Sequence, residues 1–298
     1  MCRTEMEEGI QIRTRLLKRQ KQEIKQLLEK YEKKDQGKPD FFMEQEWNEV
    51  LDCPCFFLLY RKGQLLCAVS AFLAEKEAEI SAVTRKEWQG KGLFAQVLKE
   101  GIAVLKKYGF QRISFRIFDW NDTAQQILEH WKYQKIKTDC LMILFANKIK
   151  TWQPLEERSG RTAVLEGLEA EERKQMIIEI HSSAFGCLKS ESEWLLKNNF
   201  SDGIRLWGYW REHQLIGLCF VSESKQGYFL SGVSIWKKEQ QKGYGEAFLR
   251  ELLLNLQEKE RKDVFLQVSG ENEGAVRLYQ KLGFFTLQCL VTYSADLK

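Results

Sequence analysis

The chain is written twice. Across its 298 residues the same residue types recur about half a chain apart: Val83 with Val233, Gly90 with Gly243, Asn121 with Asn272, and Cys140-Leu141 with Cys289-Leu290. These offsets are 150, 153, 151 and 149 residues. A period of that size is domain-sized, so it signifies two copies of one fold and not a solenoid of short repeats. Two domains also suit the length. The expected boundaries are 1–147 for the first domain, 148–155 for a linker around Lys148 to Pro154, and 156–298 for the second.

Each copy presents its elements in the same order. A short strand (Ile10 to Thr14; Arg161 to Glu166) leads into an amphipathic helix. That helix carries Leu16, Leu17, Ile24, Leu27, Leu28 and Tyr31 in the first copy and spans about Glu169 to Ala184 in the second. Another helix comes next, then three strands joined by hairpin-like turns. They are Phe56 to Tyr60, Leu65 to Ala74 and Glu79 to Thr84 in one copy, and Arg205 to Trp210, Leu215 to Ser222 and Tyr228 to Ile235 in the other. A further helix is marked by Phe94, Val97, Leu98, Gly101 and Leu105, and by Phe248, Leu252, Leu253 and Leu256. A strand, a short helix and two closing strands complete each copy. Hairpin strands followed by a helical crossover predict an α/β fold: a mixed, mostly antiparallel sheet with helices on both faces.

Composition excludes several classes of function. A net charge of +4 is small for this length and does not suggest a nucleic-acid partner. The longest apolar stretch, Leu65 to Ala74, is far short of a membrane span, and the charged start Met1 to Glu8 has no apolar signal core. The eight cysteines form no disulfide framework in a chain this large, so a reduced, cytoplasmic protein is expected. Cys53-Pro54-Cys55 lacks a second cysteine or histidine cluster at ligand spacing, and a structural role is assigned to it with no metal.

The chemistry is carried by two glycine cassettes. One runs Glu87-Trp88-Gln89-Gly90-Lys91-Gly92, the other Gln240-Gln241-Lys242-Gly243-Tyr244-Gly245. Each follows a strand and opens a helix. Glycine allows close backbone approach, and a helix start offers unpaired N–H groups, which together make a cradle for an anion. Neither loop ends in Gly-Lys-Ser/Thr, which argues against a mononucleotide P-loop.

The ordered set Val233-x-Ile235, Gln240-x-x-Gly243-x-Gly245, Asn272-x-x-Ala275, Tyr279 and Leu282-Gly283-Phe284 resembles the GNAT superfamily of acyl-CoA-dependent N-acyltransferases. The whole chain looks like a tandem GNAT protein, each copy a centrally splayed sheet. The resemblance implies acetyl-CoA as cosubstrate and a primary amine, small or on a peptide, as acceptor. It places the pantetheine arm along a bulged strand at Val233 and Ile235, and the pyrophosphate on the loop of Gln240, Gln241, Lys242, Gly243, Tyr244 and Gly245. Asn272 and Ala275 face the pantetheine, and Tyr279 assists the departing sulfur. A backbone N–H near Ile235 would stabilise the oxyanion. The strand Tyr228 to Ile235 holds no carboxylate to act as base; Glu223, Glu191, Glu193 and His181 are the nearby candidates, and none is assigned. A non-catalytic acyl-CoA sensor and an aminoacyl-tRNA-dependent transferase are the competing readings. A monomer or homodimer is expected.

The first copy departs from this pattern. With Gly90 set against Gly243, Glu87 stands where the family prefers Gln or Arg. Leu128 replaces Tyr279, Lys132 replaces Gly283 and Tyr133 replaces Phe284. The first copy is therefore expected to be degenerate.

Overall fold

The computed structural model describes residues 8–30, 41–149, 152, 160–165, 171–199 and 203–297, without the side chains of Trp47 and residues 195–199. The expected linker lies outside the described residues except for Lys148, Ile149 and Trp152.

The first copy runs β1 (Gly9–Arg13), α1 (Lys18–Glu29), β2 (Phe56–Arg61), β3 (Gln64–Ala74), β4 (Glu77–Thr84), α2 (Leu93–Lys107), β5 (Arg112–Phe118), α3 (Asp122–His130) and β6 (Gln134–Leu144). Where a second helix was expected before β2, the described residues form a 3₁₀ turn, Gln45–Trp47; residues 31–40 lie outside the described residues. After α4 (Ala146–Ile149) the second copy runs β7 (Arg161–Val164), α5 (Glu171–Phe185), α6 (Lys189–Asn199), β8 (Ile204–Arg211), β9 (Gln214–Glu223), β10 (Tyr228–Ile235), α7 (Tyr244–Lys259), β11 (Val264–Ser269), α8 (Glu273–Lys281) and β12 (Phe285–Asp296). This is the expected mixed α/β architecture, made twice.

The chain divides into two compact units, residues 1–138 with 288–298, and residues 139–287. The sheet of the first unit is ordered β1-β2-β3-β4-β5-β12 and that of the second β6-β11-β10-β9-β8-β7. In each, one parallel pair (β4 with β5, β10 with β11) follows a helical crossover, and the remaining pairs within the unit are antiparallel.

Two closing strands per copy were expected, and this is corrected. Each copy ends in one long strand whose later residues belong to the other copy's sheet. Leu290–Asp296 pair with β5 and Asp139–Leu144 pair with β11. Apolar alternation reveals which face of a strand is buried but not which strand lies beside it. Cys140 and Cys289 each take part in a disulfide, which corrects the expectation of wholly reduced cysteines. Cys53 and Cys55 are buried, and burial pushes their thiols up to about 11 and about 12, so both stay protonated at neutral pH.

Helix burial follows the sequence stripes. In α2, Val97, Leu98, Gly101 and Leu105 line one face. Gly101 keeps this contact close: a Cβ would lie 3.2 Å from the Phe57 ring, which would have to give by a few tenths of an ångström. In α7, Phe248, Leu249, Leu252, Leu253 and Leu256 are buried, and Phe248 stacks on Tyr209 of β8 with centroids 5.2 Å apart. The opposite face of this sheet is covered by α5, whose Ile177, Ile178 and Ile180 pack with Leu206, Leu218 and Phe220. No helix among the described residues is long and apolar enough to cross a membrane.

Candidate active site

The second unit opens in the middle of its sheet. β10 pairs with β11 only over Tyr228, Phe229 and Leu230, although β11 continues to Ser269. From Ser231 onward β10 has no partner on that side among the described residues. On its other side the pairing with β9 slips between Ser231 and Ser234, where three steps along β10 match two along β9. This is a β-bulge, and Gly232 sits in it with φ +58. A Cβ there would strike the Phe220 ring at 2.8 Å. Splay and bulge together leave backbone groups between Ser231 and Ser234 without a β11 partner, facing the opening. Val233 is half-buried there, and Ile235 is buried with its side chain toward Gly217 and Gly245.

Beyond β10 a 3₁₀ turn (Lys237–Glu239) leads into the cradle. Gln240 is extended, and its Nε2 donates to the Ile235 carbonyl oxygen at 3.0 Å, tying the loop to the strand end. Gln241 and Gly243 take left-handed backbone angles, φ +61 and +82, and Gly243 is the N-cap of α7. Such alternation around Lys242 turns successive N–H groups inward, toward a bound anion. Lys242 Nζ pairs with Glu239 at 3.0 Å, so its charge is partly spent. The Tyr244 ring lies under the Arg211 guanidinium, 4.6 Å from its centroid. Gly245 serves packing: a Cβ would meet Leu278 of α8 at 3.2 Å. Glu246 would oppose an anion here. Burial favours its neutral form, but Lys281 at 2.5 Å and Arg250 at 3.4 Å outweigh this and hold its carboxyl below the usual range.

The same loop geometry exposes an error of register in the sequence comparison. In the first copy the 3₁₀ turn is Lys86–Trp88, the extended residue is Gln89, and the left-handed residues are Gly90 and Gly92, with Gly92 capping α2. Gly92 thus corresponds to Gly243, and Gly90 to Gln241. Gln89, not Glu87, occupies the place of Gln240. The constant offset is 151 and extends through Asn121, Leu128 and Lys132. Of the expected departures only that at Glu87 falls away, while Leu128, Lys132 and Tyr133 still stand opposite Tyr279, Gly283 and Phe284. Phe94 replaces Gly245 and stacks on Trp131, 5.5 Å between centroids. β4 splays from β5 after Ile80, but it pairs with β3 from Glu77 to Thr84 with no bulge.

In α8, Asn272 is the N-cap, its Oδ1 accepting from the Ala275 N–H at 3.1 Å. This leaves the Asn272 amide NH₂ group as a free donor. Asn121 caps α3 identically, through Ala124 at 3.2 Å. Replacing either by Ala is expected to cost about 1 kcal/mol in urea denaturation. Tyr279 is buried, 7% exposed, with its ring edge-on to Phe284 at 5.8 Å. Its hydroxyl has no hydrogen-bond partner among the described residues. Burial, with Cys219 nearby, raises the phenol well above its usual value.

The candidate bases separate cleanly. Glu223 is held by Lys262 at 2.9 Å and Lys259 at 3.3 Å, and hydrogen bonds from these lysines lower its carboxyl. Glu191 caps the Leu188 N–H at 2.8 Å, and Glu193 pairs with Lys174 at 3.3 Å. His181 alone approaches the bulge: a Cβ on Gly232 would lie 3.9 Å from its Nε2. No sequence signal joins residues 51 positions apart in a helix and a strand, so this placement was not legible beforehand.

The comparisons agree with this geometry. The profile of the Acetyltransferase (GNAT) family matches residues 21–132 and again 174–284. Among solved structures, the chain is similar to a GCN5-related N-acetyltransferase from Sphaerobacter thermophilus, with TM-score 0.68, 16% identity, and 97% of this chain and 96% of that one covered. It is also similar to a tandem GNAT protein from the clavulanic acid biosynthesis pathway, with TM-score 0.58, 10% identity and 82% of each chain covered. At such identities these likenesses speak for the fold alone. No curated protein matches in sequence. With three-quarters of its length matched by the family profile, in two stretches that each contain one cradle, the chain belongs to the GNAT acetyltransferase family and carries its fold in tandem.

Proposed function

We propose that the C-terminal copy moves an acetyl group from acetyl-CoA to a primary amine by direct attack, and that the N-terminal copy is not catalytic. One observation carries the proposal: only in the second copy does a bulged, splayed strand lead into a cradle with glycine at both Gly243 and Gly245. The freed backbone between Ser231 and Ser234 suits the amide groups of a pantetheine arm. The inward N–H groups of residues 241–245 suit a diphosphate at a helix start. Asn272 offers its amide NH₂ group to a pantetheine carbonyl.

Tyr279 completes the set. A thiol of ordinary pKa about 8.5 leaves readily as thiolate, and a phenol that stays protonated can donate a hydrogen bond to it. Leu128 at the matching place in the first copy offers nothing comparable.

Calorimetry on the full chain tests the reading directly. Acetyl-CoA is expected to bind at one site per chain, and free thiol to appear when an amine is added. Absence of binding heat would remove the acetyltransferase assignment. Binding with no thiol release on any amine would leave an acyl-CoA sensor instead.

A further inference from the structure

The proposed transfer needs a group to accept a proton from the amine, and the surroundings of Gly232 supply one. His181 is 7% exposed on α5, with Nε2 toward the bulge. Its Nδ1 lies 3.0 Å from Ser192 Oγ on α6, which in turn lies 3.3 Å from Cys187 Sγ. Nε2 has no hydrogen-bond partner among the described residues. With Nδ1–H donating to Ser192 Oγ, and Ser192 passing its own hydrogen to Cys187, Nε2 is left with a bare lone pair that can accept a proton. Resting on the acetyltransferase reading above, we infer that His181 Nε2 is the general base that takes the proton from the attacking amine, with Ser192 as a positioning residue that holds the tautomer.

The faces of the sheet agree with this division of labour. Tyr279 packs in the cluster that contains Val221 and Cys219 of β9. His181 instead faces Phe220, which belongs to the cluster on the other side. The bulge of β10 lies between them. An acceptor entering beside His181 and a thiol departing beside Tyr279 therefore approach the same strand from opposite faces.

The proton and electron count closes without another reactant. The ammonium loses one proton to Nε2, and the freed nitrogen lone pair forms the C–N bond to the acetyl carbon. The C–S bond breaks, with its electron pair leaving on sulfur. A second nitrogen proton ends on that sulfur and the third stays on the amide nitrogen. Nε2 then releases its proton to water.

Charge around His181 is neutralised elsewhere. On α6, Glu191 caps a backbone N–H and Glu193 pairs with Lys174 of α5, while Lys189 and Glu179 are exposed. Glu223 of β9 pairs with two lysines, and β9 also carries the buried Cys219. On the neighbouring 3₁₀ turn, Glu239 pairs with Lys242, Lys238 sits 3.5 Å from the centroid of the Trp236 ring, and Lys237 completes the turn. β10 has no titratable group but Tyr228. Burial is accordingly what lowers His181 below its ordinary 6.5. A base with a lowered pKa is neutral at pH 7, and its activity rises with pH through that value and then levels.

Two measurements on the full chain test the inference. In nitrogen NMR of labelled histidine, neutral His181 is expected as the Nδ1–H tautomer, and Ser192→Ala is expected to shift it toward Nε2–H. An Nε2–H form in the unmodified chain overturns the assignment and needs no acceptor to detect. Thiol release is then followed against pH with 2-phenylethylamine, spermidine and a lysine-containing dipeptide. The first is chosen because the Phe185 ring lies 4.6 Å from that of His181 and is half exposed. His181→Gln is expected to lower kcat about 100-fold and to abolish the acid limb, with acetyl-CoA binding heat unchanged. If the variant keeps both kcat and limb, His181 is not the base and the transferase reading stands. If the unmodified chain binds acetyl-CoA but releases no thiol with any of the three amines, the transfer reading falls and the base falls with it.

Discussion

A Gly243→Val chain is expected to lose acetyl-CoA affinity by about 100-fold or more in calorimetry. Gly243 has φ +82 and caps α7. A β-branched residue held there costs about 1–3 kcal/mol, and each 1.4 kcal/mol is a tenfold change in affinity. Its side chain would also stand where the phosphate oxygens must approach. The matching substitution in the first copy, Gly92→Val, is an internal control. Gly92 has φ +75 and caps α2 in the same way, with nothing within 4 Å of a Cβ. It imposes comparable strain on folding but should leave acetyl-CoA binding unaltered. Equal losses from both variants would show that binding follows fold strain and not the cradle. A loss from Gly92→Val alone would reverse the assignment of the active copy.

Tyr279→Phe is expected to reduce kcat about 100-fold, while the dissociation constant of acetyl-CoA moves less than about threefold. The change removes one oxygen and keeps the ring against Phe284. That hydroxyl has no partner among the described residues, so its loss should not destabilise the fold, and the melting temperature should be unchanged or slightly higher. The pH dependence carries its own sign. Because burial raises the phenol, it remains a donor through the alkaline range, and turnover should not fall between pH 8 and about pH 10 on its account. An unchanged kcat would remove Tyr279 from the mechanism.

Much of this was legible in the amino-acid sequence, for identifiable reasons. β10 begins and ends where its β-branched run does, at Tyr228 and Ile235, because a half-buried strand bounded by turns leaves a strong pattern. Asn121 and Asn272 announced two helix starts because capping chemistry is local. The cradle register was misread because glycine was matched to glycine. What the two loops share is the sign of φ, and Gln241 adopts it without being glycine, where Gly90 stands in the other copy. The bulge was hidden for a different reason. Both β4 and β10 are eight residues long, and the extra residue is evident only against the shorter run of β9 that faces β10. His181 was unassigned because helix-to-strand proximity leaves no trace in spacing.

The exchange of closing strands has a bearing on synthesis. β5 emerges from the ribosome some 170 residues before Leu290–Asp296, the segment that completes its sheet. Pairing over so long a separation is slow, and an open strand edge invites wrong partners in the meantime. The nascent N-terminal unit must therefore wait, unfinished, until Leu290–Asp296 have been made. A gene that shed its first half would in turn deprive the second unit of Asp139–Leu144, the strand that pairs with β11.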